Sequence, residues 1–166
     1  MVNKYPIVKQ EKESWSLPAC LQSIIKLRRV YEPSQREIAE GLGILDNLKG
    51  NLCERIGEFL EKYNLRCRYE NPFTNVRGDE LLLEGELNEN TDVIAAYDWN
   101  RVHSRKGNPK KQFSIVVCYD PSGKGRMVVR DSLGSDDLRI DAVCLHKFRS
   151  AVNPAEDSEY GFYMID

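Results

Sequence analysis

The segment Glu13–Ile25, ESWSLPACLQSII, sets a serine two residues before a proline and a cysteine two residues after it, at the start of an apolar-periodic run. Proline in a first turn is preorganised for a helix, and unpaired N–H groups at a helix N-terminus favour an anion. A thiol placed there becomes a nucleophile as its pKa falls. A hydroxyl placed there needs an adjacent base before it can attack a carbonyl. Ser16 and Cys20 are therefore two candidate nucleophiles, and each has a plainer alternative. Ser16 would cap the helix by accepting from free backbone N–H groups. Cys20, one turn in and on the apolar face, would be a small core side chain.

A base for either must come from two histidines, His103 and His146. His103 lies in NRVHSRKGNPKK, a polar loop that would have to fold over the nucleophile to bring an imidazole within hydrogen-bond reach. His146 falls on a late helical segment and is a weaker candidate. The same loop holds the densest charge in the chain: Arg101, Arg105, Lys106, Lys110 and Lys111. It reads either as a solvated basic loop or as a dock for carboxylates or phosphates. Only Trp99 and Phe113 flank it as aromatics, so single-stranded nucleic acid is a poor fit.

Composition bounds the rest. A chain of 166 residues, 41% hydrophobic and 30% charged, suits one globular domain over 1–166. Its net charge of −2, with a pI of about 5.8, argues against a surface built for nucleic acid. No apolar run reaches the roughly 18–20 residues of a membrane span. The opening MVNKYPIVKQEKES lacks the apolar stretch of a secretory signal. Five cysteines without regular spacing fit reduced thiols in a cytoplasm rather than a disulfide framework. Cys53 and Cys67 stand too far apart for a zinc knuckle, and neither histidine completes a metal-ligand spacing. The expectation is a cytoplasmic protein with no metal, no cofactor and no membrane insertion.

The elements that must position these side chains follow from periodicity. From Pro18, the positions Cys20, Ile24, Leu27 and Tyr31 fall on one helical face. SQRE at Ser34–Glu37 is a capping box opening a helix to about Leu42. A third helix carries Leu52, Ile56, Phe59, Leu60 and Tyr63 and ends at Asn64, before a short strand at Arg66–Glu70 and a short helix at Asp79–Leu87. Strands follow at Asp92–Trp99, Gln112–Asp120, Arg126–Asp131 and Tyr160–Ile165, with a helix expected at Asp141–Phe148. Helices first and antiparallel strands second make the class α+β.

The order VKQ at Val8–Gln10, SLPA at Ser16–Ala19, SQREIA at Ser34–Ala39, then DVIAAYDW, QFSIVVCYD and VVRD resembles the papain-like peptidases that process bacteriocin leaders at a double glycine. The resemblance covers nearly the whole chain. It implies a papain-like cysteine peptidase fold, with an N-terminal helical half packed on a C-terminal antiparallel β-sheet. It also implies the positions of the chemistry, and two of them depart. The nucleophilic cysteine falls on Ser16, and the histidine base falls on Gln112, whose amide exchanges no proton near neutral pH. The acidic residue that orients the base falls on Asp131, and the glutamine that lines the oxyanion hole falls on Gln10; both are present. Leu17 stands where the family has glycine.

Alternatives remain at each of these positions. Gln10 is a cleft-lining amide or a surface residue, Asp131 a triad remnant or a turn anchor. Gln112 would hydrogen-bond Asp131 or Ser16 and hold the old site together. The expected function is a non-catalytic pseudo-peptidase that binds a peptide or protein segment in the inherited groove. Gln10, Ser16, Leu17 and Gln112 would line it, with Lys110 and Lys111 as a rim for an acidic partner. Two alternatives stand beside it: a hydrolase or acyltransferase using Ser16 or Cys20 with His103, and an accessory subunit of a larger complex.

Overall fold

Residues 5–6, 8–45, 51–72, 75–122, 125–131, 139–151 and 159–166 are described by the structure, a computed structural model. Helix α1 runs from Ser16 to Arg28, with Trp15 at its N-cap and Pro18 in its first turn. It ends at Arg29, whose backbone is extended, so Tyr31 lies beyond the helix rather than on its apolar face. Helix α2, Gln35–Gly41, opens on the reciprocal Ser34–Glu37 capping box that SQRE specifies. Helix α3, Leu52–Glu61, is capped by Asn51 and buries Leu52, Ile56, Phe59 and Leu60. Tyr63 and Asn64 fall past its end, where Asn64 takes a φ of 55°.

Strand β1 (Cys67–Glu70) is followed by α4 (Val76–Asn88), β2 (Asp92–Asp98) and the single turn α5 (Trp99–Val102). Then come β3 (Lys111–Asp120), β4 (Arg126–Asp131), β5 (Arg139–Cys144), α6 (Leu145–Ser150) and β6 (Gly161–Ile165). Two sequence expectations are corrected here. Trp99 leaves the strand because the Asp98 carboxylate accepts from the Asn100 and Arg101 N–H groups and starts a helical turn. The segment 141–148 is not one helix. Its first half belongs to β5, paired antiparallel with β4 from Arg126↔Cys144 to Asp131↔Arg139, and the helix starts only at Leu145. DAVC carries no period that separates helix from strand, and the open edge of β4 decides it.

The strands form one antiparallel sheet in the order β1-β6-β2-β3-β4-β5. Helical residues cover both faces. Leu17, Leu21, Ile24, Ile38, Ile56 and Leu60 pack with Ile94, Ala96, Phe113 and Ile115 on one side. Leu83, Val102, Leu145 and Phe148 pack with Val93, Ala95, Tyr97 and Val116 on the other. Burial on both faces explains why β2 reads VIAAY without a polar alternation. It also extends the expected picture of helices on a sheet: α4, α5 and α6 make a second helical layer.

A buried ionic contact fixes α1 against the sheet. Asp92, fully buried at the start of β2, accepts from Tyr5 Oη at 2.6 Å and pairs with the Arg28 guanidinium. Burial, then the Asp92 charge, pushes the Tyr5 phenol well above its ordinary value, so Tyr5 stays a donor. Removing the cation leaves a fully buried carboxylate without its counter-charge. Arg28→Met should therefore destabilise the fold by about 3 kcal/mol, read from the urea unfolding midpoint.

Candidate functional site

Helix α1 and strand β3 meet at Phe113. Its N–H donates to Ser16 Oγ at 3.1 Å, and its carbonyl accepts from Cys20 Sγ at 3.4 Å. Ser16 and Cys20 are four residues apart, so they lie one above the other on the same helix face. The β3–β4 ladder begins only at Ile115, and α1 supplies these partners at the end of β3. Ser16 and Cys20 are each 2% exposed. The cap reading of Ser16 is thus corrected. Trp15 holds the N-cap, no side chain caps α1, and the serine oxygen faces the strand instead. Cys20 takes the core role, as part of the cluster beneath α1.

Gln112, the residue before Phe113, is fully buried, and its Nε2 donates to Gln10 Oε1 at 3.3 Å. Gln10 in turn donates to the carbonyls of Lys12 and Glu13, at 3.0 and 2.8 Å. The turn that leads into α1 closes through Trp15 N–H on Lys12 O. Ser16, Gln112 and Gln10 are therefore gathered at one end of the molecule. Asp131 ends β4, one residue beyond the Arg130↔Ile115 pair and hence at the same end of the sheet as Gln112; only its backbone is described.

His103 is not gathered there. Its ring stacks on Trp99 at 4.5 Å, on the turn of α5 that packs against α6, while Ser16 and Cys20 sit under the opposite face of the sheet. The pairing of Ser16 or Cys20 with His103 is corrected accordingly. His146 is exposed on α6. The rim lysines have partners of their own: Lys110 Nζ lies 3.0 Å from Glu13, and Lys111 Nζ lies 2.5 Å from Glu159. Lys110 and Arg105 also approach the Trp99 ring, at 5.5 and 6.0 Å. Lys110 and Lys111 are thus tied to other parts of the fold, while Arg101, Arg105 and Lys106 are exposed.

Beside the buried cluster runs a groove of about 290 Å³. Leu17, Ile44, Leu52 and Phe113 give it an apolar floor; Ser14, Arg55 and Glu159 give it a polar wall. Glu159 joins Lys111 to Arg55, which lies 3.8 Å away and donates to Leu42 O at 2.8 Å. Of the residues expected to line a groove, Leu17 does so. Gln112 and Ser16 are buried behind it. Ile44, Leu52, Arg55 and Glu159 were missed. Arg55 sits one turn after the Asn51 cap, a position the sequence offers, but nothing local marks Glu159.

No family model matches the chain, and no curated protein matches it in sequence. Solved structures are similar in fold. One is the peptidase domain of Streptococcus ComA, a bifunctional ABC transporter of a quorum-sensing pathway. It is 15% identical, with a TM-score of 0.59 over 99% of this chain and 97% of that one. Another is a double-glycine-motif protease from an AMS/PCAT transporter, solved with its leader peptide. It is 12% identical, with a TM-score of 0.58 over 98% of this chain and 90% of that one. The chain has the α+β fold of the papain-like peptidase domains of double-glycine proteases. Among the described residues, no helix is long and apolar enough to cross a membrane.

The role of Ser16 as a strand anchor has a direct readout. Ser16→Ala leaves the buried Phe113 N–H without its acceptor and should cost about 1–2 kcal/mol. Native-state hydrogen exchange should then show the Phe113 amide losing protection more than its neighbours in β3.

Proposed function

We propose that this protein is a non-catalytic domain of the double-glycine-peptidase fold that binds a peptide segment in the groove beside α1. The observation that carries the reading is the pair of side chains at the reacting positions. Ser16 is a buried acceptor for Phe113 N–H, and Gln112 is a buried amide bonded to Gln10. A serine without a base is a poor nucleophile. The amide protons of Gln10, which would have to point at a developing oxyanion, are directed to Lys12 O and Glu13 O.

The groove keeps what peptide recognition needs. Its floor is apolar and open, and its wall carries the Arg55 guanidinium and the Glu159 carboxylate, 3.8 Å apart. Side chains anchored on Leu17, Ile44, Leu52 and Phe113 would supply affinity by desolvation. An acidic partner docked on Lys110 and Lys111 fits less well, since both lysines are paired within the chain. The probe suggested by the AMS/PCAT neighbour is a leader peptide with a double glycine.

Mixed with such a peptide, the protein should bind it and leave it intact, as read by fluorescence anisotropy and mass spectrometry. Ile44→Glu, which places a charge in the floor at a half-buried position, should weaken binding about tenfold or more. Ser16→Cys alone should not create cleavage, because general acid–base catalysis is worth about 10²–10⁴-fold and Gln112 cannot supply it. Cleavage by the unmodified protein, abolished in Ser16→Ala, would overturn the non-catalytic reading. Equal affinity of the Ile44→Glu protein and its parent would overturn the groove.

A further inference from the structure

Five cysteines are free thiols, and two of them face each other. Cys53 is the second residue of α3, and Cys67 is the first residue of β1. Their sulfurs are 3.6 Å apart, and Cys53 Sγ also lies 3.6 Å from the Cys67 carbonyl. Both side chains are half-buried, so a small reagent can reach the pair while the rest of the protein stays folded. Cys67 is held by the β1–β6 ladder, opposite Ile165, and Cys53 by the Asn51 cap, which accepts from its N–H at 3.0 Å. Two ligands alone do not make a metal site, and no third His, Cys, Asp or Glu joins them in a metal-binding group among the described residues.

We infer that Cys53 and Cys67 form a reversible dithiol–disulfide site, oxidised by small-molecule disulfides of the glutathione type. A disulfide bond is about 2.05 Å long, so the sulfurs must close by about 1.5 Å from their present separation. The Cys53 thiolate attacks one sulfur of the reagent RSSR, forms Cys53–S–SR and expels RS⁻, which takes up a proton. Cys67 then gives its proton to water and attacks the Cys53 sulfur, expelling the second RS⁻. Two protein thiols are oxidised to one disulfide as RSSR is reduced to two RSH. Burial, and next the neighbouring Cys53, push the Cys67 thiol up and keep its thiolate fraction small, which the high local concentration of the mixed disulfide offsets in the second, intramolecular step.

The folded protein is incubated with glutathione disulfide, its remaining thiols are alkylated in denaturant, and its peptides are mapped by mass spectrometry before and after dithiothreitol. The expected product is one intramolecular link between the Cys53 and Cys67 peptides that dithiothreitol reverses, with Cys20 unlinked and carrying the alkyl group. Cys67→Ser should instead accumulate the glutathione adduct on Cys53, and Cys53→Ser should leave no intramolecular link. Separate glutathione adducts on both cysteines of the parent protein, no reaction at either, or a link to another cysteine or another chain would each overturn the inference. The mapping on the parent protein decides the matter even if a serine variant fails to fold.

Discussion

One residue of β3 has both of its backbone polar groups held by side chains of α1, and the rest of the architecture is set by that joint. Ser16 Oγ accepts the Phe113 N–H, and Cys20 Sγ donates to the Phe113 carbonyl. Ser16 and Cys20 sit about one helical turn apart, roughly 5.4 Å, and converge on the two backbone groups of a single strand residue. The match fixes both the height and the rotation of α1 over the sheet. Leu17 and Leu21 then fall into the core, and the Phe113 ring turns under the helix to become groove floor. At the other end of α1 the Arg28–Asp92 pair holds the same helix to β2. Pinned at both ends, α1 has little freedom to slide.

The same joint accounts for an oxygen rather than a sulfur at position 16. A nucleophile must keep its reacting atom open to substrate and close to a base. An anchor must do the opposite and stay buried against a fixed partner. A hydroxyl accepts a backbone N–H at 3.1 Å within ordinary hydrogen-bond geometry, whereas sulfur is a weak acceptor. Oxygen at Ser16 therefore serves the strand better than sulfur would.

Legibility of the fold in the sequence followed the strength of the local signal. SQRE forces its capping box whatever surrounds it, and α2 begins where that motif says. The apolar runs of β2 and β6 are legible as strands, though not that helices would cover the second face of their sheet. What stayed hidden depended on contacts distant in sequence. Serine at a helix start reads as a cap because the strand that claims its oxygen lies far along the chain. DAVC reads as helix because only the bare edge of β4 turns it into a strand. The loop lysines read as a basic patch because Glu13 and Glu159, which neutralise them, are nowhere near them in sequence.

An amide at position 112, where the proposed reading puts the lost base, suits burial in a way that an imidazole would not. A catalytic imidazole must be free to carry a charge, and burying that charge without a partner is costly. A glutamine amide is neutral at every accessible pH and is buried at low cost once it is hydrogen-bonded. Gln112 is fully buried and gives a proton to Gln10 Oε1. That contact orients the Gln10 amide so that its own protons reach Lys12 O and Glu13 O, the carbonyls of the turn that delivers Trp15 and Ser16 to α1. The polar groups run in one chain from β3, through Gln112 and Gln10, to the first turn of α1, and back to β3 through Ser16. Such a closed circuit ties β3 to the first turn of α1 behind the groove, with no ionisable side chain among its hydrogen-bonding members. The hydrogen bonds of this circuit therefore do not depend on pH over the range in which a Cys–His pair would titrate.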